Sequence, residues 1–425
     1  MYRLLLALTL FAGLAFAQDT YRVGIVGPMA FVQGEHHMFG AEMAAAEINA
    51  AGGIDIGGTM YQIELVEVDS NEIQNVADAA TAVERAITGQ NVDFLMGGFR
   101  TEAVFPMTDV AVDYQIPFMI VGAATDELLK GRVDTDYDTY KYLFRLSPLR
   151  GTVLARLTIT HLAGVIAQVA EVIGTTPKVA IVAEQLQWNE GIVAAVEATI
   201  PKIGGEFVGT WRPSATATDV TAELTAVQRA GADIIYTANS GPLGIPFGRD
   251  WGRLEIPAVV VGITVEAQKL GWLTATDGYG DGVGTLATYG PVAITPTTLG
   301  FYDSFVAEHG DIPIYTAGTY DGLYVLKDAL ERAGTTDTDA LITALEATDF
   351  EGTTGRIVFD ELHDVTFGPE YVTGLGVQWQ DGEYQAFWPN NWHPDPQNNP
   401  ELSVTIPGTV PYVIPARILE AWQNR

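Results

Sequence analysis

The stretch FLMGGFRTEAVFP (94–106) sets a guanidinium (Arg100), a hydroxyl (Thr101) and a carboxylate (Glu102) in succession behind an apolar strand that breaks at Gly97 and Gly98. Paired glycines let backbone approach a ligand closely. Thr101 is placed to cap a following helix, which leaves Arg100 free to meet a carboxylate through paired hydrogen bonds. The competing reading makes Arg100 and Glu102 a solvated surface pair, an arrangement that stabilises little. VGAATDELL (121–129) repeats the device, with Ala123, Ala124 and Thr125 at a strand end and Asp126 and Glu127 suited to a first helical turn. A plain helix cap accounts for Thr125, yet two neighbouring small-residue strand ends also give backbone donors room to reach one solute. Trp188 in AEQLQWNEG (183–191) could stack on a planar or apolar ligand, or pack as core or rim. Tyr320 and Asp321 open an apolar helix, where they either line a cleft or hinge or act as a packing tyrosine and a first-turn aspartate.

Other chemistries find less support. The chain has no cysteine, no G-x-x-x-x-G-K-[ST] and no G-x-S-x-G, so the common nucleophile and nucleotide signatures are missing. With 53 Asp and Glu, paired-carboxylate spacings arise by accident and do not argue for a glycosidase dyad. His36 and His37 are adjacent, so their side chains point apart, unlike the i, i+4 spacing that gives two imidazoles to one metal. Surface placement of His36 is expected, with approach to a cleft as the alternative. Reversible binding is the expected chemistry, with no catalytic residue, metal or cofactor.

Such residues need strands to carry them. YRVGIVGP (21–28), MYQIELVEVDS (60–70), VDFLMGG (92–98), PFMIVG (117–122), KVAIVAE (178–184), ADIIYTA (232–238) and PAVVVG (257–262) read as strands. FGAEMAAAEINAAGG (39–53) and NVADAATAVERAITG (75–89) read as helices closed by glycine. Continuous apolar strands separated by helices imply parallel sheets covered on both faces. The first run of alternation ends near YLFRLSP (142–148), and a second opens at 178 after the long helical stretch 150–174, so two sheets are expected. No flexible linker separates them, which points to lobes joined by crossing strands. In doubly wound sheets ligands sit beyond the carboxyl ends of the strands, where helix N-termini present free N–H groups. The tail from Phe387, rich in Pro and Asn and poor in helix or strand pattern, is expected to wrap the surface, because Trp388, Trp392, Tyr412 and Trp422 carry too much apolar area to leave in water.

Arg3, the apolar run LLLALTLFAGLAF and AFA before Gln18 form the three parts of a secretory signal, with cleavage predicted after Ala17. The run is shorter than the roughly 20 residues that cross a bilayer, and no bilayer insertion of the mature chain is expected. The length of 425 residues suggests two or three domains at ~100 to 200 residues each, stabilised by core size and not by disulfides. Without cysteine there is no lipid-modified cysteine anchor. The 22 basic against 53 acidic residues make nucleic acid an unlikely partner. A well-hydrated surface, for solubility or in salt, explains the acidity without cation recognition.

VGIVGPMAFVQGEHHMFGAEMAAAEINAAGGI (23–54) resembles the opening of the leucine/isoleucine/valine-binding proteins, the periplasmic receptors of branched-chain amino acid ABC transporters. FLMGGFRTEAVFP and PFMIVGAATDELL look like that family's second and third cleft loops, AEQLQWNEG its first second-lobe loop, and GTYDGLYVLKDALERAG and GTTGRIVFDELHD its return segments, a similarity over 21–385. The resemblance implies an α/β type I periplasmic-binding fold, two doubly wound parallel-sheet lobes with crossings near 144–148, 286–290 and 353–360. It places a signal peptide at 1–17, lobe 1 at 18–145 plus 288–354, lobe 2 at 146–287 plus 355–386, and the tail at 387–425. It also implies that Thr101 matches the family's hydroxyl-bearing loop, Ala123 and Thr125 its α-carboxylate and ammonium contacts, Trp188 an aromatic lid, and Ser240 and Thr264 the second-lobe positions. Two departures stand out. Arg100 and Glu102 replace a Ser/Thr run, and Thr264, with Glu266 two residues on, stands where an acid commonly meets the ammonium. Both weigh against a branched-chain amino acid, since a buried guanidinium wants an anion and a desolvated cation wants a paired charge. The expected function is therefore a periplasmic receptor that captures an amino acid or related carboxylate or amide and hands it to ABC permease subunits. A ligand sensor with a signalling partner is the alternative, and a secreted hydrolase the remaining one.

Overall fold

The computed structural model describes residues 19–368, 371–389 and 405–424; the signal segment 1–17 and Trp392 lie outside them. Six strands form the first sheet: β1 (Asp19–Gly27), β2 (Ile54–Ile56), β3 (Thr59–Asp69), β4 (Phe94–Gly97), β5 (Phe118–Val121) and β6 (Leu143–Ser147). Their order is β2-β3-β1-β4-β5-β6, parallel except for the short β2. The register sets Val23 against both Leu65 and Phe94. Helices α1 (Val32–Ala50), α2 (Val76–Gln90), α3 (Thr101–Asp113) and the single turn α4 (Tyr137–Tyr140) connect these strands. Helix α2 runs past Gly89, the glycine expected to close it: Asn75 Oδ1 accepts from Ala77 N at its start, and Asn91 ends it in a left-handed conformation.

Helix α5 (Gly151–Ile173) starts the second lobe, whose strands β7 (Lys178–Ala183), β8 (Glu206–Trp211), β9 (Ile234–Asn239) and β10 (Val259–Thr264) run parallel in the order β10-β9-β7-β8. Their connections are α6 (Glu190–Thr199), α7 (Thr221–Arg229) and α8 (Gly244–Arg253), followed by α9 (Trp272–Ala275). Helix α5 is apolar and long enough to span a bilayer, yet Leu157, Leu162, Val165 and Val169 are fully buried in this lobe. Strand β11 (Gly284–Ala287) extends the sheet beyond β10 through a Val260–Val283 bridge. The chain then returns to the first lobe as α10 (Thr298–His309), α11 (Thr319–Ala333), α12 (Thr338–Glu346) and the hairpin β12 (Phe350–Glu351) and β13 (Arg356–Ile357). It ends in the second lobe with β14 (Leu375–Gln380), antiparallel to β11, β15 (Glu383–Trp388), antiparallel to β14, and α13 (Ala416–Gln423).

Three expectations need correcting. The third crossing lies later than 353–360: Asp364 bridges Arg145 of β6, and Val365 N donates to the Arg145 carbonyl, so the chain stays on the first sheet to at least 365. Helix α1 begins at Val32 and not near 39, because its N-cap, Phe31, has no capping side chain to announce it. His36 and His37 therefore sit on a buried helix, both at most 1 % exposed, and not on a surface loop.

The described part of the tail packs on the second lobe and is more regular than its composition suggested. Tyr412 Oη donates to the Val260 carbonyl (3.2 Å), Trp422 Nε1 to that of Pro257 (2.8 Å), and the Arg417 guanidinium lies 4.1 Å from the Trp251 ring centre. Trp388 packs edge-on against His161 of α5, with centroids 4.6 Å apart. Neither ring nitrogen of His161 has a hydrogen-bond partner among the described residues, and burial lowers its pKa to about 3. A folded pKa below the free value of 6.5 means that stability is lost as pH falls below 6.5. His161→Leu is expected to raise stability by about 1–2 kcal/mol at pH 7, by removing two unsatisfied buried atoms, and by more at pH 5. Thermal melts at both pH values check this; equal or lower melting temperatures in the variant would refute it.

Candidate functional site

Strand order places the site. In the first sheet the chain steps from β1 to β3 on one side and then to β4 on the other; in the second it steps from β7 to β8 and then to β9. Each reversal opens a crevice beyond the carboxyl ends of the strands, and the crossings bring the two crevices face to face. Between them lies a cavity with about 990 Å³ of empty space, part of it open to solvent.

On the first lobe, Gly97 (φ +121°) ends β4 in a conformation few side chains adopt, and a Cβ there would lie 2.1 Å from the Val26 carbonyl oxygen. A Cβ on Gly122 would lie 1.8 Å from the Gly98 oxygen, so the loops after β4 and β5 pack backbone on backbone. Beneath them the fully buried Glu72 accepts from Arg100 N (2.6 Å), Phe99 N (3.2 Å) and Ser70 Oγ (2.8 Å). Burial pushes its carboxyl up to about 7 against the pull of these bonds.

Arg100 and Thr101 line the cavity. Arg100, and not Thr101, occupies the N-cap position of α3. Thr101 is the first helical residue, 1 % exposed, and its hydroxyl has no hydrogen-bond partner among the described residues. Arg100 Nε lies 3.2 Å from Glu102 Oε2, so the ion pair of the competing reading forms. It is not a free surface pair, because Glu102 Oε1 also accepts from Gln187 N of the second lobe (3.1 Å).

Ala124 lines the cavity, whereas Ala123 and Thr125 stand behind it with their carbonyls accepting from Arg145 Nη1 at 3.2 and 2.7 Å. The Thr125 hydroxyl donates to Glu127 Oε2 and caps nothing, since Asp126–Leu128 forms only a 3-10 turn. Asp126 instead binds Thr152 N (3.0 Å) at the start of α5.

On the second lobe Trp188 and Ser240 line the cavity. Both are held by the buried Glu184, which accepts from Trp188 Nε1 (2.8 Å) and Ser240 N (2.7 Å) and whose pKa burial raises. Thr264 does not reach the cavity; its hydroxyl donates to Thr237 Oγ1 (2.9 Å) within the sheet. Glu266, also away from the lining, is ion-paired with Lys269 at 2.5 Å. Tyr320 faces outward and donates to Glu47 (2.7 Å). Asp321 borders the cavity, accepting from Thr353 N (2.9 Å) and Thr353 Oγ1 (2.8 Å), and burial pushes its carboxyl up to about 6.

The cavity thus gathers Arg100, Thr101, Ala124, Trp188, Ser240 and Asp321, and leaves out Glu102, Ala123, Thr125, Thr264, Glu266 and Tyr320. Sequence reasoning missed its apolar wall, including Leu149, Leu154, Leu157 and Leu186, and polar members such as Tyr289, Tyr315, Gln268 and Thr354. Glu72 and Glu184 were also missed, although both follow strand ends and the strand-end rule could have found them. Gln33 Nε2 donating to the Ser240 carbonyl (3.0 Å) and Leu270 N to Asp311 (2.7 Å) close the lobes over the cavity. Among the described residues no cluster of three metal-ligating side chains occurs.

With this geometry the comparisons agree. Residues 22–372 match the Periplasmic binding protein family. The leucine-, isoleucine-, valine-, threonine- and alanine-binding protein of Pseudomonas aeruginosa is 26 % identical over 376 residues, covering 85 % of this chain and 91 % of that protein. A branched-chain amino acid transporter substrate binding protein from Streptococcus pneumoniae, solved with isoleucine, superposes with a TM-score of 0.70 at 21 % identity, over 86 % of this chain and 98 % of that one. An ABC transporter solute binding protein from R. palustris, solved with benzoate, gives 0.69 at 19 %, over 87 % and 95 %. The protein belongs to the periplasmic binding protein family and has its two-lobed α/β fold.

Proposed function

We propose that this protein is the solute receptor of an ABC importer: exported by its N-terminal segment, it captures a small solute between its lobes without altering it and presents the closed form to a membrane permease. The observation that carries this reading is the cavity itself, walled by strand ends of both lobes and bridged by Gln33–Ser240 and Glu102–Gln187. Closure then couples to occupancy, because a ligand touching both lobes favours the shut state over the open one. Arg100, Thr101, Ala124, Trp188 and Ser240 are the proposed contacts, and Ala123, Thr125 and Thr264 act behind them as support.

The test is thermal unfolding of the mature protein against amino acids, carboxylates, amides and sugars. A bound solute at ~100 times its Kd adds about 2.7 kcal/mol. The shift is expected to be accompanied by a change in Trp188 fluorescence in a variant that keeps only this tryptophan, and to disappear for anionic solutes in Arg100→Ala. A panel in which no solute moves either signal would refute the receptor reading.

A further inference from the structure

We propose that the cleft takes a solute bearing an alkylated ammonium group, tertiary or quaternary, which rests on the Trp188 ring with the buried Glu184 carboxylate beside that ring as its counter-charge. The inference rests on the receptor reading above and narrows its ligand.

The cavity wall is aromatic on both lobes. Phe99 and Tyr315 enter it from the first lobe, Trp188 from the second, and Tyr289 from the crossing after β11. Trp188 is only partly buried, and its Nε1 donates to Glu184 Oε1 at 2.8 Å. The indole edge is thus tied to a carboxylate, and the electron-rich face of such a ring attracts an organic cation.

The buried charge points the same way. Glu184 is fully buried, and its side-chain bonds from Trp188 Nε1, Ser240 N and Ser240 Oγ all fall on Oε1. Oε2 has no hydrogen-bond partner among the described residues, although the Gly241 amide is near enough to favour its charge. Arg212 donates to the Glu184 main-chain carbonyl but pairs its charge with Glu190. Asp321, 2 % exposed at the cavity border, is held by the Thr353 amide and hydroxyl and likewise has no ion pair among the described residues. The basic groups nearby are engaged elsewhere, Arg100 with Glu102 through Nε and Lys269 with Glu266. Tyr315 reports the excess of negative charge from the first lobe, since its phenol is raised by burial and then by Glu184, Glu72 and Glu266 in that order. Buried carboxylates without a counter-ion are costly, and a cationic solute supplies one from within the cavity. Leu149, Leu154, Leu157 and Leu186 give N-alkyl groups apolar contact, where a primary ammonium would need acceptors for three N–H groups.

Calorimetric titration of the mature protein tests the inference with two cations, their carbon isosteres and their primary amines: choline, 3,3-dimethylbutan-1-ol and ethanolamine; glycine betaine, 3,3-dimethylbutanoate and glycine. The better-bound cation is expected to exceed both its isostere and its primary amine at least tenfold, about the size of a desolvated cation–ring contact. In Glu184→Gln, which keeps the shape and removes the charge, the preference for the cation over its isostere should fall at least tenfold, and Trp188→Leu should abolish it. A cooperative thermal transition shows that each variant is folded; where Glu184→Gln lacks one, the partly buried Trp188→Leu site decides. Equal binding of cation and isostere, or tighter binding of the primary amine, would overturn the inference and leave the receptor reading standing. So would binding of leucine or benzoate with neither cation bound. A preference unchanged in a folded Glu184→Gln would overturn the assignment of Glu184. Failure of these compounds and of the wider panel above to bind would take the receptor reading down as well.

Discussion

Replacing Arg145 with methionine is expected to remove about 3–5 kcal/mol of folding stability, more than any other single change in the cleft. Arg145 is fully buried on the last strand before the first crossing. Its Nε lies 2.9 Å from Asp364 Oδ1 and its Nη2 2.5 Å from Oδ2, a two-point pairing of guanidinium and carboxylate. Its Nη1 donates to the carbonyls of Ala123 and Thr125. Methionine would leave the buried Asp364 charge with only the partly exposed Arg150, 3.9 Å away, as counter-charge, and would release the loop that sets Ala124 in the cavity wall. The loss therefore has two readouts: a lower urea midpoint, and weaker binding of any solute that touches that loop. Removing both charges, in Arg145→Met with Asp364→Leu, should recover most of the stability, because the main penalty is the unpaired ion and not the missing pair. The loop would stay unanchored, so binding should not recover with it. A single-variant loss below about 1 kcal/mol would show that the pair is solvated.

The same region shows how far sequence reasoning reaches. Arg100, Thr101, Ala124, Trp188 and Ser240 were legible as cavity residues because each follows closely on a buried parallel strand, and the end of such a strand is a fixed place in a doubly wound sheet. The orientation of each side chain was not legible. Thr125, just past the end of β5, and Thr264, the last residue of β10, both looked suited to the cleft, yet one hydroxyl turns to Glu127 and the other to Thr237, choices made by neighbours far away or off the strand. Tyr320 faces Glu47 while the next residue, Asp321, borders the cavity, since adjacent helical residues point about 100° apart. The apolar wall was hidden for another reason: Leu154 and Leu157 belong to α5, whose uniformly apolar sequence does not mark which residues meet the core and which meet the cleft. The third crossing was misplaced because pairing of residues 363–365 with β6 is a contact between segments more than 200 positions apart, without local signature.

Glu72→Gln is expected to remove the pH dependence that this residue contributes and to weaken the cleft at the same time. The carboxyl is raised from 4.5 in the free group to about 7 in the folded protein, with burial as the leading cause. An acid whose folded pKa is raised binds its proton more tightly in the native state, so its contribution is fully favourable below pH 4.5 and is lost as pH rises through 7. At 1.36 kcal/mol per pKa unit, the loss across that window is roughly 3 kcal/mol. The buried histidines act in the opposite sense below pH 6.5: burial lowers His36 to about 3 and His37 to about 4, so acid costs them stability. Subtracting the variant's stability curve from that of the parent cancels the histidine part and leaves Glu72 alone. That difference should slope downward from pH 4.5 to 7. Glutamine keeps one acceptor oxygen for the amides of Phe99 and Arg100, where the carboxylate offers two. Its amide group also brings donors toward those N–H groups, which already need acceptors, so the turn that presents Arg100 and Thr101 should loosen. Solute affinity is expected to fall about tenfold at pH 8, where the parent Glu72 is ionised, and by less at pH 5, where it is protonated. A difference curve that is flat across this window would mean that Glu72 reaches solvent, and the account of how the loop after β4 is held would fail with it.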